Sequence, residues 1–99
     1  NLVQNKLYLK GTWNITYEYA ENKTASEILF NYDAKNVYMA AGGVIGTEIE
    51  IYKDDIFVKK IKITGEDLYH LIEDKDYGKH TIRIKIGTPG LRAFTFTFG

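Results

Sequence analysis

EDLYHLIEDKDYGKHTIRIKIGTPGLRAFTFTFG, residues 66–99, decides the fold reading of this 99-residue chain. Ile82, Ile84 and Ile86 alternate with Thr81, Arg83 and Lys85, the period of two that gives an extended strand one apolar and one polar face. Pro89 fixes φ and Gly90 tolerates positive φ, so 88–90 reads as a type II turn. Phe94, Phe96 and Phe98 then alternate with Ala93, Thr95 and Thr97, and the two strands are expected to pair as an antiparallel hairpin. Upstream, Thr64 precedes Glu66 and Asp67 in the manner of a capped helix start, and Leu68, Leu71 and Ile72 share one helical face. Too short to be stable alone, 66–72 is expected to be a helical turn docked as a lid over one end of a sheet.

Working outward, the same alternation recurs. Leu7 and Leu9 flank Tyr8, and after Gly11 the residues Trp13, Ile15, Tyr17 and Tyr19 alternate with polar neighbours, giving two early strands. Glu21-Asn22-Lys23 reads as a polar turn, 26–32 as a third strand, 33–36 as a break and 37–41 as an apolar strand ended by Gly42-Gly43. Ile49 and Ile51 alternate with Glu48, Glu50 and Tyr52; Asp54-Asp55 turns the chain; 56–63 is a further strand whose phase slips at Lys59-Lys60, the signature of a bulge. The pattern adds up to an all-β antiparallel jelly-roll β-sandwich of about eight strands, with the one helical turn near 66–72. It forms a single domain over 1–99, with 1–6 as the end of a linker. The abrupt start at Asn1 and the end on a strand fit a module from the end of a longer protein.

Lys and Arg number 13 and Asp and Glu 13, so there is no basic excess to hold a phosphate backbone and nucleic acid is disfavoured as a partner. The absence of cysteine removes disulfides and thiol chemistry from the chain itself. No apolar run approaches the about 20 residues of a membrane helix, so direct membrane insertion is not expected. A lone serine, Ser26, stands outside any nucleophile elbow, and the scattered acids form no recognisable acid–base pair, so the chain reads as non-enzymatic, without cofactor or catalytic residues. The glycines at 42, 43 and 46 lack the lysine and helix of a phosphate loop.

Eight tyrosines and one tryptophan raise a carbohydrate reading, because a flat ring stacks on the apolar face of a sugar while neighbouring polar groups take its hydroxyls. Trp13 shares the parity of Ile15 and reads as core. Tyr38, beside Ala40, and Tyr52, beside Glu50, lie opposite the apolar parity of their strands; with Arg83 they are the candidate floor of a shallow polar groove. Tyr38, Glu50, Tyr52 and Arg83 are therefore the candidate ligand-binding residues. The acids at 73–76 with Asp54 and Asp55 lack Ca²⁺-loop spacing, and Lys75 opposes a cation. His70, Glu73 and His80 are enough to test for zinc, but His80 reads better as a strand-end residue hydrogen-bonded in a turn, and no metal is assigned. Asn14-Ile15-Thr16 and Asn22-Lys23-Thr24 match a glycosylation sequon, to which no function is attached.

The stretch from Leu68 to the end resembles the terminus of the carboxy-terminal domain of DipZ-type proteins, through Leu68, Tyr69, Gly78, His80, Thr81, Pro89, Gly90 and the final Phe96, Thr97, Phe98 and Gly99. Gly11, Trp13, Ala34, Lys35, Val37 and Tyr38 also sit where that family's pattern puts them; the departure is 45–63, where Lys53-Asp54-Asp55 replaces a longer, glycine-containing loop. The resemblance implies a domain similar in fold to carbohydrate-binding modules, following a membrane electron-transfer segment and a thioredoxin-like domain that holds the redox cysteines. It further implies an extracytoplasmic location and a parent working in thiol-disulfide exchange or cytochrome c biogenesis. The implied partners are the adjacent thioredoxin-like domain of the parent chain, with a glycan or a client protein as further ligands.

Overall fold

A computed structural model describes residues 6–99 as eight antiparallel strands: β1 (Tyr8–Lys10), β2 (Trp13–Ile15), β3 (Ala20–Asn22), β4 (Ser26–Gly43), β5 (Glu48–Lys53), β6 (Ile56–Lys62), β7 (Asp67–Ile86) and β8 (Leu91–Phe98). The linker end expected at 1–6 lies, except for Lys6, outside the described residues. The hydrogen-bonded order is β2-β3-β8-β4-β7-β5-β6, with β1 on the free side of β4.

Two strands are long enough to serve both layers of the sandwich. The first half of β4 pairs with β1 and with the second half of β7, which also carries β5 and then β6. The second half of β4 pairs with the first half of β7 and with β8, which carries β3 and then β2. Register shifts between Ala34 and Asn36 mark where the pair passes from the first layer to the second. There, one residue of β4 faces 74–77 of β7, and the backbone of Gly99 closes the gap by exchanging 3.0 Å hydrogen bonds with Asn36. The inner faces meet in one core: Ile28, Phe30 and Tyr32 of the first layer face Met39, Ala41 and Leu91 of the second, and Phe30 stands edge-on to Phe96 at 4.8 Å.

The helical lid expected at 66–72 is instead the start of β7, whose residues 67–73 pair with 36–41 of β4. A bulge explains why the sequence imitates a helix. The register slips between Val37/Ile72 and Tyr38/His70, which leaves Leu71 unpaired and turns Leu71 and Ile72 inward together. With Leu68 upstream, that inserted residue reproduces i, i+3, i+4 spacing in an extended chain. Thr64 does not cap; its N–H donates to the Tyr69 hydroxyl, which itself donates to the Gly65 carbonyl and pins the turn before β7.

The hairpin expected from 82–86 and 91–98 does not form. Both edges of that part of β7 are occupied, by β4 and β5, so after Gly90 (φ 106°) the chain crosses to the other layer and β8 joins β4 and β3. Asn22 secures the crossing. Fully buried, it donates to the carbonyls of Thr24 (2.9 Å) and Thr88 (2.8 Å) and accepts from the N–H of Leu91 (2.8 Å), so the segment read as a polar turn is a strand with an inward amide. The real turn is 16–19, where the Thr16 hydroxyl accepts from the N–H groups of Glu18 (3.2 Å) and Tyr19 (3.1 Å). Gly43 (φ 109°) must be glycine, since a Cβ there would stand 2.0 Å from the Gly90 carbonyl oxygen.

The break expected at 33–36 does not form, since 26–43 is one continuous strand whose register with β7 shifts there. Two other expectations hold with small displacements. Asp54 and Asp55, both at positive φ, form the two-residue turn between β5 and β6. The bulge in β6 falls at Val58, because Tyr52 pairs with Phe57 and Ile51 with Lys59.

Candidate functional site

Strand register places Glu50, Tyr52 and Arg83 together on the outer face of the first layer. Tyr52 is the cross-strand partner of Arg83, and Glu50 the partner of Lys85. The registers extend into two parallel rows. Lys10, Glu27, Lys85, Glu50 and Lys60 cross β1, β4, β7, β5 and β6 with alternating charge; Tyr8, Leu29, Arg83, Tyr52 and Phe57 form the next row, aromatic at both ends with a guanidinium in the middle. The charged row, with Glu48, lines a shallow groove of about 460 Å³.

The side chains there are extensively paired. The Tyr52 hydroxyl donates to Glu50 Oε1 (3.0 Å), which holds the phenol above its ordinary pKa, first through that hydrogen bond and then through desolvation. Lys85 lies over one face of the Tyr52 ring, 5.0 Å from its centroid, and Phe57 stands edge-on at 5.6 Å. Arg83 faces Glu27 (3.4 Å) and Asp55 (3.6 Å). By contrast, Lys10 and Lys60 at the two ends of the charged row have no salt-bridge partner among the described residues.

Tyr38 is not part of this group. It sits on the outer face of the second layer, paired with His70 and Thr97, with the His70 ring edge-on at 4.8 Å. Trp13 packs against the core as expected, and its indole N–H donates to the Lys10 carbonyl (2.9 Å).

The residues weighed for metal binding divide among other partners. Asp74 accepts two hydrogen bonds from Lys53 (3.0 and 3.1 Å), and Asp54 holds the His80 ring and the Thr81 N–H (2.9 Å). His80 is thus the turn-bound strand residue expected from sequence. For Asp54, burial pushes the pKa up, but the Thr81 N–H, the His80 bond and nearby Lys53 outweigh it and hold the carboxyl below its ordinary value. His70 instead meets Glu73 at 3.5 Å, far along β7 from His80. Tyr32, beside His80, is buried with a hydroxyl that lacks a hydrogen-bond partner among the described residues; desolvation, with Asp74 and Asp54 nearby, raises its pKa.

A second open region was not read from the sequence. Between the layers, on the side bounded by β1 and β8, lies a slot of about 420 Å³ whose walls include Leu9, Tyr19, Phe30, Phe94, Phe96 and Phe98. Leu7, Ile15 and Tyr17, all exposed, extend its apolar rim. Arg92 lies over the Tyr19 ring (4.7 Å to its centroid) and pairs with Glu21 (3.0 Å). The bond from Lys23 lowers the Glu21 pKa most; desolvation opposes it and Arg92 adds to it. The signal in the sequence is the Phe94-x-Phe96-x-Phe98 run, whose alternation marks an amphipathic strand but not that one face stays open.

Comparison with known proteins gives one family and one fold. The family model described as thioredoxin-like C-terminal domain matches residues 1–99. No curated protein matches by sequence. A family two carbohydrate esterase from Clostridium thermocellum, solved in complex with cellohexaose, is similar with a TM-score of 0.85 at 10% identity, covering 95% of this chain and 31% of that one. A family two carbohydrate esterase from Cellvibrio japonicus gives 0.85 at 11% identity, covering 93% and 30%. An acetyl xylan esterase from the rumen bacterium Butyrivibrio proteoclasticus gives 0.79 at 10%, covering 99% and 30%. At such identity the likeness establishes the jelly-roll β-sandwich fold alone, and the chain spans about a third of the length of those esterases.

Proposed function

The chain belongs to the thioredoxin-like C-terminal domain family, and from that membership we propose that it is a non-catalytic accessory module of the carbohydrate-binding-module kind. In this reading its parent is a DipZ-type protein of thiol-disulfide exchange and cytochrome c biogenesis, extracytoplasmic, with the redox cysteines in the preceding thioredoxin-like domain. The ligand is a glycan on the outer face of the first layer.

One observation carries the glycan reading: an aromatic row with Arg83 at its centre runs beside a row of alternating carboxylates and ammoniums along a shallow groove. Such a surface offers a ring to the apolar face of a sugar, and donors and acceptors to its hydroxyls. The shared fold with an esterase solved with cellohexaose supports the choice of probe. The test is an array of neutral and acidic oligosaccharides that includes cellohexaose. Binding that is lost in Tyr52→Ala supports the reading; binding unchanged in that variant, or none to any glycan, removes it.

The exposed apolar rim of Leu7, Ile15 and Tyr17 favours a second reading, a docking domain that positions the adjacent thioredoxin-like domain. A structure of the two domains together with that rim left bare counts against it.

A further inference from the structure

The slot between the layers has a feature that an ordinary apolar patch lacks: an open strand edge along its wall. Asn36 and Gly99 exchange two hydrogen bonds, which fixes the alternation of the ladder between β4 and β8. Counting back along the register, Tyr38 with Thr97 is again a hydrogen-bonded pair, whereas Val37 with Phe98 and Met39 with Phe96 are not. The N–H and C=O groups of Phe96 and Phe98 therefore point away from β4. On that other side β3 pairs only with Arg92 and Ala93, and the chain turns back at 16–19 before it reaches Phe96. Among the described residues, the one bond directed to these groups is a 3.5 Å contact from the Thr95 hydroxyl to the Phe96 carbonyl.

The side chains of Phe96 and Phe98 stand in the slot itself, facing Phe30 at 4.8 and 5.8 Å. Backbone hydrogen-bonding capacity and an apolar trough thus lie side by side, the two elements by which an added strand is held: main-chain bonds for affinity and alternate side chains for selectivity. The charged rim side chains select its ends. Lys6, just before β1, lines the slot together with Asn31 and Phe98. Glu18 sits in the turn beside Tyr17. Neither Lys6 nor Glu18 has a salt-bridge partner among the described residues.

We propose that the slot receives an extended peptide segment as an additional strand beside Phe96 and Phe98, with apolar side chains at alternate positions, an acidic residue over Lys6 and a basic one toward Glu18. This deepens the docking reading by naming what is docked, and it is independent of any glycan on the outer face.

The test titrates the isotope-labelled chain with two synthetic peptides that alternate valine and threonine, one with aspartate first and lysine last, the other reversed, followed by amide NMR. One peptide is expected to shift the amides of residues 94–98. Methylating its backbone nitrogens at alternate positions should abolish binding in one phase and spare it in the other, which greasy adsorption would not do. Lys6→Glu is expected to weaken that peptide about tenfold, and exchange of its aspartate for lysine to restore it. Lys6 is exposed, so the variant leaves the core intact, and a thermal melt checks that. Absence of shifts at 94–98 with either peptide at millimolar concentration, or equal loss in both methylation phases, overturns the proposal. Because the titration uses this chain alone, its failure leaves docking of the whole thioredoxin-like domain to be judged by the two-domain structure.

Discussion

The outer face of the first layer and the slot between the layers are both open to water, yet their chemistry differs. On the outer face the central groups already hold one another: Tyr52 on Glu50, Lys85 over Tyr52, Arg83 between Glu27 and Asp55. In the slot the aromatic rings pack on one another and on Phe30, but an apolar rim and the outward backbone groups of Phe96 and Phe98 have little to bond among the described residues. A polar surface whose central Tyr52 and Glu50 already bond each other suits exchangeable, hydroxyl-rich ligands, since a ligand hydrogen bond to that pair replaces one already made and net affinity stays modest. The unpaired apolar trough gains more from being covered.

Stability should separate the two regions most. Phe30 is buried and contacts Tyr32, Phe96 and Phe98, so Phe30→Ala is expected to lose about 3–5 kcal/mol in chemical denaturation, while Tyr52→Ala on the outer face loses under about 1 kcal/mol. Equal losses would erase the distinction. Next comes Asn22→Ala, which strands two carbonyls and the Leu91 N–H and should cost about 2–3 kcal/mol, read from the same curves; a loss below about 0.5 kcal/mol would mean that this amide does not hold β3 to the crossing.

A smaller effect is the pH dependence at Asp54. Its pKa is lowered on folding, so its contribution is full above the unfolded value of about 4 and fades as pH falls through the lower native value. The stability gap between the wild type and Asp54→Asn should therefore shrink as pH falls below about 4; a gap that widens over that range would reverse the assigned sign. Smallest of all, Tyr17→Ala should change stability by no more than about 0.5 kcal/mol, since its ring is exposed, yet weaken peptide capture in the slot. Unchanged capture would confine the docked strand to the Phe96 and Phe98 edge.

How far the sequence could be read follows from the same physics. Alternation exposed the strands because burial on one face imposes it, as at Ile82, Ile84 and Ile86, and Asp54-Asp55 declared its turn. Pairing was less legible, because the alternation of 82–86 and 91–98 is the same whichever strand lies alongside; that β4 and β5 had already filled both edges of β7 is long-range information. The inserted Leu71 disguised a strand as a helix, since a bulge breaks the very period used to detect it. Of the candidate site, Glu50, Tyr52 and Arg83 converge because parity fixes a face within one layer. Tyr38 has the right parity but the wrong layer, since β4 changes layers at the bulge that follows Ala34. The slot escaped because it arises from what β3 fails to cover.

The most direct test of the outer face as the ligand-binding surface is an amide NMR titration of the labelled chain with the oligosaccharide panel. The expected result is a set of saturable shifts centred on Glu50, Tyr52, Arg83 and Lys85, with 94–98 unmoved. Shifts confined to 94–98, or none at any residue of the two rows, would contradict the account.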